Sequence, residues 1–174
     1  MKPRVVPVQE RLRALRAEFD QTFSLPRRPE GREREGFLKI RVAGDAYALR
    51  LNHVDGLASR PRIVPLPSRC PEFLGMAGHR GGLAALFSLP RLLGYAGTET
   101  PSRWFVLLRA SGSLGLAFET YEGFAWMDTA EIRGIGDAVR RRHVLQAVQH
   151  EGLTRLIVDV PGVLGALTPA KGEN

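Results

Sequence analysis

Two stretches of the chain carry the same order of features at a fixed spacing. Residues 75–94 combine a glycine-rich turn, a continuous apolar run and a proline and glycine placed to start and stop a short helix. Residues 150–165 repeat this order without a gap. The repeat predicts two similar small subdomains, each closed by one turn–strand–helix unit, with chance similarity as the alternative. Four residues have an identical match at one offset (150 − 79 = 71): His79, Gly81, Pro90 and Gly94.

Alternating apolar residues predict a β-hairpin in each half of the chain. Apolar and polar residues alternate on both sides of a turn in residues 37–51, and they do so again in residues 104–118. Residues 52–57 have no clear period and are predicted to be irregular or a short helix. Because proline cannot donate to a β-ladder, the Pro-rich residues 58–73 can supply only an edge strand. Residues 122–127 are predicted to form a further strand.

Short strands with frequent turns favour small barrels over a sandwich of long strands. We predict a mainly β fold of two small barrel subdomains, residues 37–94 and 103–165. Each is small enough to be marginal alone, so the two are expected to share a core. Four aromatic residues lie in apolar runs and are predicted to be part of this core: Trp104, Phe105, Phe124 and Trp126.

The first 36 residues are expected to lie outside this body. Apolar residues at spacings of three and four predict an amphipathic helix over residues 8–23. Residues 26–36 have no apolar side chain besides proline and are predicted to be a flexible linker. The apolar stripe of the helix either packs on the body or docks on a partner. Residues 168–174 are predicted to be a tail.

Composition narrows the classes of function. The net charge of +7 favours nucleic acid or anionic surfaces as partners. The arginines are interleaved with acids along the chain, which favours a solvated surface instead. Cys70 is the only cysteine, so no disulfide forms within the chain and a reducing compartment is expected. Without a signal-peptide pattern or an apolar run of membrane-spanning length, we expect a cytoplasmic protein with no membrane insertion.

The sequence contains no recognisable catalytic constellation. The four histidines lack metal-ligand spacing, and no ordered histidine partner for the Cys70 thiol can be identified. Residues 78–82 are not a phosphate loop, because they precede a strand and lack the Lys-Ser/Thr ending. We therefore predict that the protein is not an enzyme and binds no cofactor or metal.

Residues 37–167 resemble the CheW family, the coupling proteins of bacterial chemosensory arrays. The resemblance begins with the opening hairpin and continues through Val54-Asp55-Gly56-Leu57 and Pro71-Glu72-Phe73-Leu74-Gly75. It then covers Arg80-Gly81, where the family pattern is Gly-x-x-Asn-Leu-Arg-Gly. Residues 104–116 are similar to the second hairpin of the family.

The resemblance implies two five-stranded barrels of Src-homology type. It also implies a non-enzymatic adaptor that bridges chemoreceptor tips and the regulatory domain of the histidine kinase CheA. The residues at matching positions are the predicted partner contacts: Arg80, Gly75, Val54, Leu57 and Gly81.

The sequence also departs from the family pattern. Gly78-His79 replaces Asn-Leu, and Gly56 stands where an acidic residue is usual. Ala85 and Ser88 replace a proline and an aspartate, which leaves open whether both interfaces are retained. The alternative function is a basic small-barrel module that binds nucleic acid, which requires aromatic residues exposed among basic ones on a strand.

Overall fold

The structure is a computed structural model that describes residues 33–97, 101–136 and 141–167. The helix predicted over residues 8–23 and the tail at 168–174 lie outside the described residues. Within them, two 3₁₀ turns span Leu51–His53 and Thr129–Glu131. Two α-helices are α1 (Leu89–Leu92) and α2 (Val160–Leu167). The strands are β1 (Arg34–Val42), β2 (Asp45–Arg50), β3 (Val54–Ser59), β4 (Ile63–Val64), β5 (Phe73–His79), β6 (Gly82–Ser88), β7 (Trp104–Leu108), β8 (Leu114–Phe118), β9 (Thr120–Asp128), β10 (Ile132–Gly134), β11 (Val144–His150) and β12 (Leu153–Val158).

The strands form two six-stranded sheets with equivalent internal order. Sheet A runs β10-β11-β12-β2-β1-β9, and sheet B runs β4-β5-β6-β8-β7-β3. The offset found in the sequence relates β5 to β11 and β6 to β12 residue by residue (144 − 73 = 71). In the described residues each sheet also contains one parallel pair, β12 with β2 and β6 with β8. The sequence repeat is therefore a repeat in the fold.

Each sheet combines strands from both halves of the chain. Hairpin β1–β2 pairs with the strands β9 to β12, and hairpin β7–β8 pairs with the strands β3 to β6. The prediction of a mainly β fold is confirmed, and each six-stranded sheet takes strands from both of the expected subdomains, residues 37–94 and 103–165. Periodicity identifies a hairpin, whereas the sheet it joins depends on pairing between residues distant in sequence.

The buried apolar side chains form one large cluster between the sheets and a smaller cluster in each sheet. The large cluster takes residues from both sheets, so the two halves share a core. Sheet A adds a cluster around Phe37 and Met127, and sheet B adds one around Leu86 and Phe105. This arrangement fits strands whose successive side chains point to opposite faces.

Several element boundaries differ from those predicted. β1 begins at Arg34, inside the predicted linker, because it pairs with the end of β9. Residues 54–57, predicted to be irregular or helical, belong to β3. Residues 75–79 are strand rather than irregular turn, since pairing with β6 overrides the turn preference of glycine. β11 was not predicted, since its sequence has no regular alternation.

A partly buried ion-pair network stabilises sheet A. Arg155 on β12 is 5% exposed, and its Nη1 donates a hydrogen bond to Glu122 Oε2 at 2.7 Å. Arg41 Nε donates to Glu122 Oε1 at 2.6 Å. Burial opposes ionisation of Glu122, but the hydrogen bonds and charges of the two guanidinium groups outweigh it. They hold the pKa of Glu122 below its ordinary value.

We expect Glu122→Gln to lower the free energy of unfolding at neutral pH by about 2 kcal/mol, because it leaves Arg155 buried without a counter-charge. A carboxylate with a lowered folded-state pKa stabilises the fold above its unfolded pKa, and the effect is lost as pH falls through the folded pKa. The difference in the free energy of unfolding between the wild-type protein and Glu122→Gln should therefore decrease in acid. Urea unfolding at several pH values measures it. Glu151→Gln, at an exposed carboxylate, is the control. A difference that persists in acid would contradict this account.

Candidate partner-binding site

Arg80 lies in a tight two-residue turn that joins β5 to β6. His79 pairs with Gly82, and the φ angles of Arg80 and Gly81 are 47° and 80°. Positive φ at both central positions is typical of a type I′ hairpin turn, which favours glycine and is less favourable for arginine. Arg80 is exposed and has no hydrogen-bond or ion-pair partner for its side chain among the described residues. Its guanidinium is therefore available to a partner.

The equivalent turn of sheet A carries the opposite charge. Glu151 and Gly152 have φ angles of 54° and 74° in the turn between β11 and β12. Lys39 Nζ lies 3.0 Å from Glu151 Oε2, so this carboxylate already has a partner. Of two turns with the same backbone shape, only the one at Arg80 presents a charge without a partner in the described part of the chain.

His79 connects this turn to β3. Its ring meets the ring of Phe105 edge-on, with centroids 5.6 Å apart. Its Nε2 would lie 3.5 Å from a Cβ on Gly56, and this buried nitrogen has no hydrogen-bond partner among the described residues. The imidazole of His79 therefore lies beside the backbone of β3 at Gly56.

Gly75 is buried on β5 with a φ of 133°. A Cβ at this position would overlap the carbonyl oxygen of Val64 and would lie 2.9 Å from Pro65 Cα. The residue therefore allows the backbone of β5 to approach the segment after β4. A partner contact at Gly75 stays a prediction, and the structure gives the residue a clear packing role.

Val54 and Leu57 lie half-buried on β3, where they pack against the shared core. β3 is the last strand at one side of sheet B, and β9 is its counterpart in sheet A. An aromatic contact joins β7, the neighbour of β3, to β9. Trp104 pairs with Ser59 of β3, and its ring lies 5.3 Å from that of Tyr121 on β9.

A second contact joins the residue before β3 to β1, the neighbour of β9 in sheet A. The side chain of Leu51, just before β3, packs directly against Gly36, which pairs with Trp126 of β9. The two contacts relate β3 and β9 through their neighbouring elements. Leu57 and Phe124 both lie between the two contacts.

Phe124 and Trp126 are exposed, so their predicted place in the core is wrong. Their exposed fractions are 61% and 52%, and they share one face of β9 because they are two residues apart. An apolar run does not distinguish a central strand from an edge strand with one open face. The alternation of these large residues with Gly123 and Ala125 is the signal that identifies such a face.

We call the residues Val54, Leu57, Phe124 and Trp126 the β3–β9 surface. It combines two half-buried aliphatic side chains with two exposed aromatic ones. The strand that carries the aromatic residues contains Glu122 and Asp128 and no lysine or arginine. Nucleic-acid platforms surround their aromatic residues with basic ones, so this surface is suited to an apolar protein contact instead.

The described residues offer little for catalysis or metal binding. Cys70 is half-buried, and its thiol lies 3.1 Å from Glu72 Oε2. No group of three or more potential metal ligands occurs in the part of the chain that the structure describes. Within the same residues, no helix is long and apolar enough to cross a membrane.

Comparison with known proteins identifies the family. The CheW-like domain matches residues 36–167. The chain belongs to the CheW-like domain family. This family consists of scaffolding and adaptor proteins of chemotaxis signalling, which in general have no enzymatic activity. This CheW-like chain is therefore a scaffold or adaptor of chemotaxis signalling.

A solved structure shares the fold of this CheW-like chain. The scaffolding protein TtCheW from Thermoanaerobacter tengcongensis superposes with a TM-score of 0.69 over 81% of this chain and 97% of that chain. The two sequences are 13% identical, so the likeness concerns the fold alone. No curated protein sequence matches the chain.

We expect Gly75→Ala to destabilise the protein by about 2 kcal/mol or more, because the added Cβ overlaps backbone atoms and φ is unfavourable for alanine. Gly78→Ala is a matched control on the same strand, since a Cβ there meets nothing within 4 Å. We expect the control to change stability by less than about 0.5 kcal/mol. Urea unfolding measures both variants, and equal stability of the two would contradict the packing role.

Proposed function

We propose that this CheW-like chain is an adaptor that joins the cytoplasmic tips of chemoreceptors to a CheA-type histidine kinase. The observation that supports this proposal is the exposure of Phe124 and Trp126 on β9, and the half-buried Val54 and Leu57 on β3 complete the surface that we assign. We assign the receptor tip to this surface. The contact to the kinase is supported by family membership.

The chemistry of the surface suits a protein partner. Aromatic side chains bury about 150–250 Å² each, and they are common hot spots of protein interfaces. One strand, β9, holds both Phe124 and Trp126, so little backbone ordering is needed on binding. Val54 and Leu57 extend the apolar contact without being fully covered by the core. An apolar patch on a receptor tip is the complement of this arrangement.

Arg80 and Gly81 add a polar group next to β3. The turn that carries them adjoins β3 through the contact of His79 with Gly56. The exposed Arg80 guanidinium offers a fork of donors that matches a carboxylate. We propose that Arg80 binds an acidic side chain of the partner, which favours the correct orientation and partner more than it raises affinity.

The aromatic residues provide the main test. We expect Phe124→Ser combined with Trp126→Ser to weaken binding of a chemoreceptor tip fragment by about 100-fold, as hot-spot loss does. The melting temperature should change little, because both side chains are exposed. Calorimetric titration measures the affinity. Leu145→Ser is the matched control, since Leu145 is 64% exposed on β11 of the same sheet. Full affinity in the double variant would contradict the proposal.

The contribution of Arg80 is measured with the same fragment. We expect Arg80→Ala to weaken binding by about tenfold without a loss of stability, and Arg80→Lys to recover only part of it, because lysine lacks the planar fork. Arg133→Ala on β10 is the control, since Arg133 is also exposed. Unchanged binding in Arg80→Ala would place the carboxylate contact elsewhere.

A further inference from the structure

Ion pairs with carboxylates are distributed unevenly over the described arginines. Those that have such a partner lie on or beside sheet A: Arg41, Arg50, Arg141 and Arg155. A second group of exposed arginines lies next to the ends of β3, β4 and β7 in sheet B and in the Pro-rich segment after β4. The side chains in this group make no hydrogen bond or ion pair within the described residues: Arg60, Arg62, Arg69 and Arg103.

The backbone brings Arg60, Arg62 and Arg103 close together, since Arg62 is two residues after Arg60 and Arg60 bonds to Arg103. Arg60 N donates a hydrogen bond to Arg103 O at 2.7 Å, which joins the end of β3 to the start of β7. Arg62 directly precedes β4, the last strand of sheet B, and Arg69 follows it along the same Pro-rich segment. Proline limits pairing on this edge, so the segment stays open to solvent.

Aliphatic side chains are exposed between these arginines. Val64 is 61% exposed, and Leu66 is 49% exposed. Residues 58–71 contain no aspartate, glutamate or aromatic residue, so neither the charges nor the apolar side chains find a local complement in that segment. We call the set Arg60, Arg62, Arg69, Arg103, Val64 and Leu66 the basic edge.

The chemistry of the basic edge favours one class of partner. Guanidinium forks match carboxylates in geometry and charge, and exposed aliphatic groups favour an apolar contact. Single-stranded nucleic acid would instead gain from aromatic stacking, which residues 60–69 do not offer. A protein segment with carboxylates around aliphatic side chains complements both features of the basic edge.

We propose that the basic edge is a further protein-binding surface, and that its occupant is an acidic amphipathic segment of a partner protein. The basic edge shares no residue with the β3–β9 surface, so it goes beyond the receptor contact proposed above. Association with such a segment is steered by charge, and its affinity falls as salt rises.

The test uses the full chain and two labelled helical peptides. One peptide carries leucines on one face and glutamates on the other, and the second has glutamine in place of glutamate. We expect fluorescence anisotropy to show binding of the glutamate peptide, with affinity falling as salt rises, and much weaker binding of the glutamine peptide. Equal affinity for the two peptides would overturn the proposal.

Variants locate the contact. We expect the combined change Arg60→Gln, Arg62→Gln and Arg69→Gln to weaken binding of the glutamate peptide by about tenfold or more, as the loss of three ion pairs implies. Val64→Ser with Leu66→Ser should also weaken it. A control triple elsewhere removes the same net charge and should change affinity by less than about threefold: Arg34→Gln, Arg133→Gln and Arg142→Gln. An equal loss of affinity in the control triple would show that binding depends only on net charge, and it would overturn the proposal.

Other anionic partners are outcomes of the same experiment. A thymidine oligonucleotide and phosphatidylglycerol vesicles are titrated against the same variants. If either binds more tightly than the glutamate peptide, and the Val64→Ser, Leu66→Ser variant binds it normally, the basic edge is a phosphate-binding face and the proposal is wrong. The Phe124→Ser, Trp126→Ser variant should keep its affinity for the glutamate peptide. The test of the basic edge is therefore independent of whether the β3–β9 surface binds the receptor.

Discussion

The exchange of hairpins between the two halves is the constraint on which the rest of the structure depends. Hairpin β1–β2 completes the sheet of the second half through β12, and hairpin β7–β8 completes the sheet of the first half through β6. Neither half can form its sheet without the other, and the largest apolar cluster lies between the two sheets. The edge strands β3 and β9 therefore lie on one rigid body, which positions the surface that we assign to the receptor.

The same scaffold carries different side chains in its two halves. Arg155 of sheet A binds Glu122, whereas the equivalent residue of sheet B is Ala84 (155 − 84 = 71). The equivalent turns present Glu151, paired with Lys39, and Arg80, which is exposed. Among the described residues, the arginines that pair with carboxylates thus lie on or beside sheet A, while Arg60, Arg62, Arg80 and Arg103 around sheet B have no such partner. We infer that one repeat retains internal stabilisation and the other provides charged contacts to partners.

The sequence predicts local structure better than long-range pairing. The repeat offset, both hairpins and the strand after His79 follow from periodicity and from glycine and proline positions. Membership of the sheets does not, because it depends on contacts between distant residues. The burial predicted for Phe124 and Trp126 is wrong for the same reason, since an edge strand and a central strand have similar apolar runs. The partner contacts of Arg80, Gly75, Val54, Leu57 and Gly81 stay predictions, and the structure adds a packing role for Gly75.

Hydrogen–deuterium exchange on the full chain, with and without a chemoreceptor tip fragment, tests the central claim most directly. The account predicts added protection on β3 and β9, because both strands border the proposed contact. Exchange on β10 and β11 should stay unchanged, since these strands lie at the opposite side of sheet A. Protection confined to β10 and β11, or no protection at a concentration where the fragment binds, would contradict the assignment of the receptor to the β3–β9 surface.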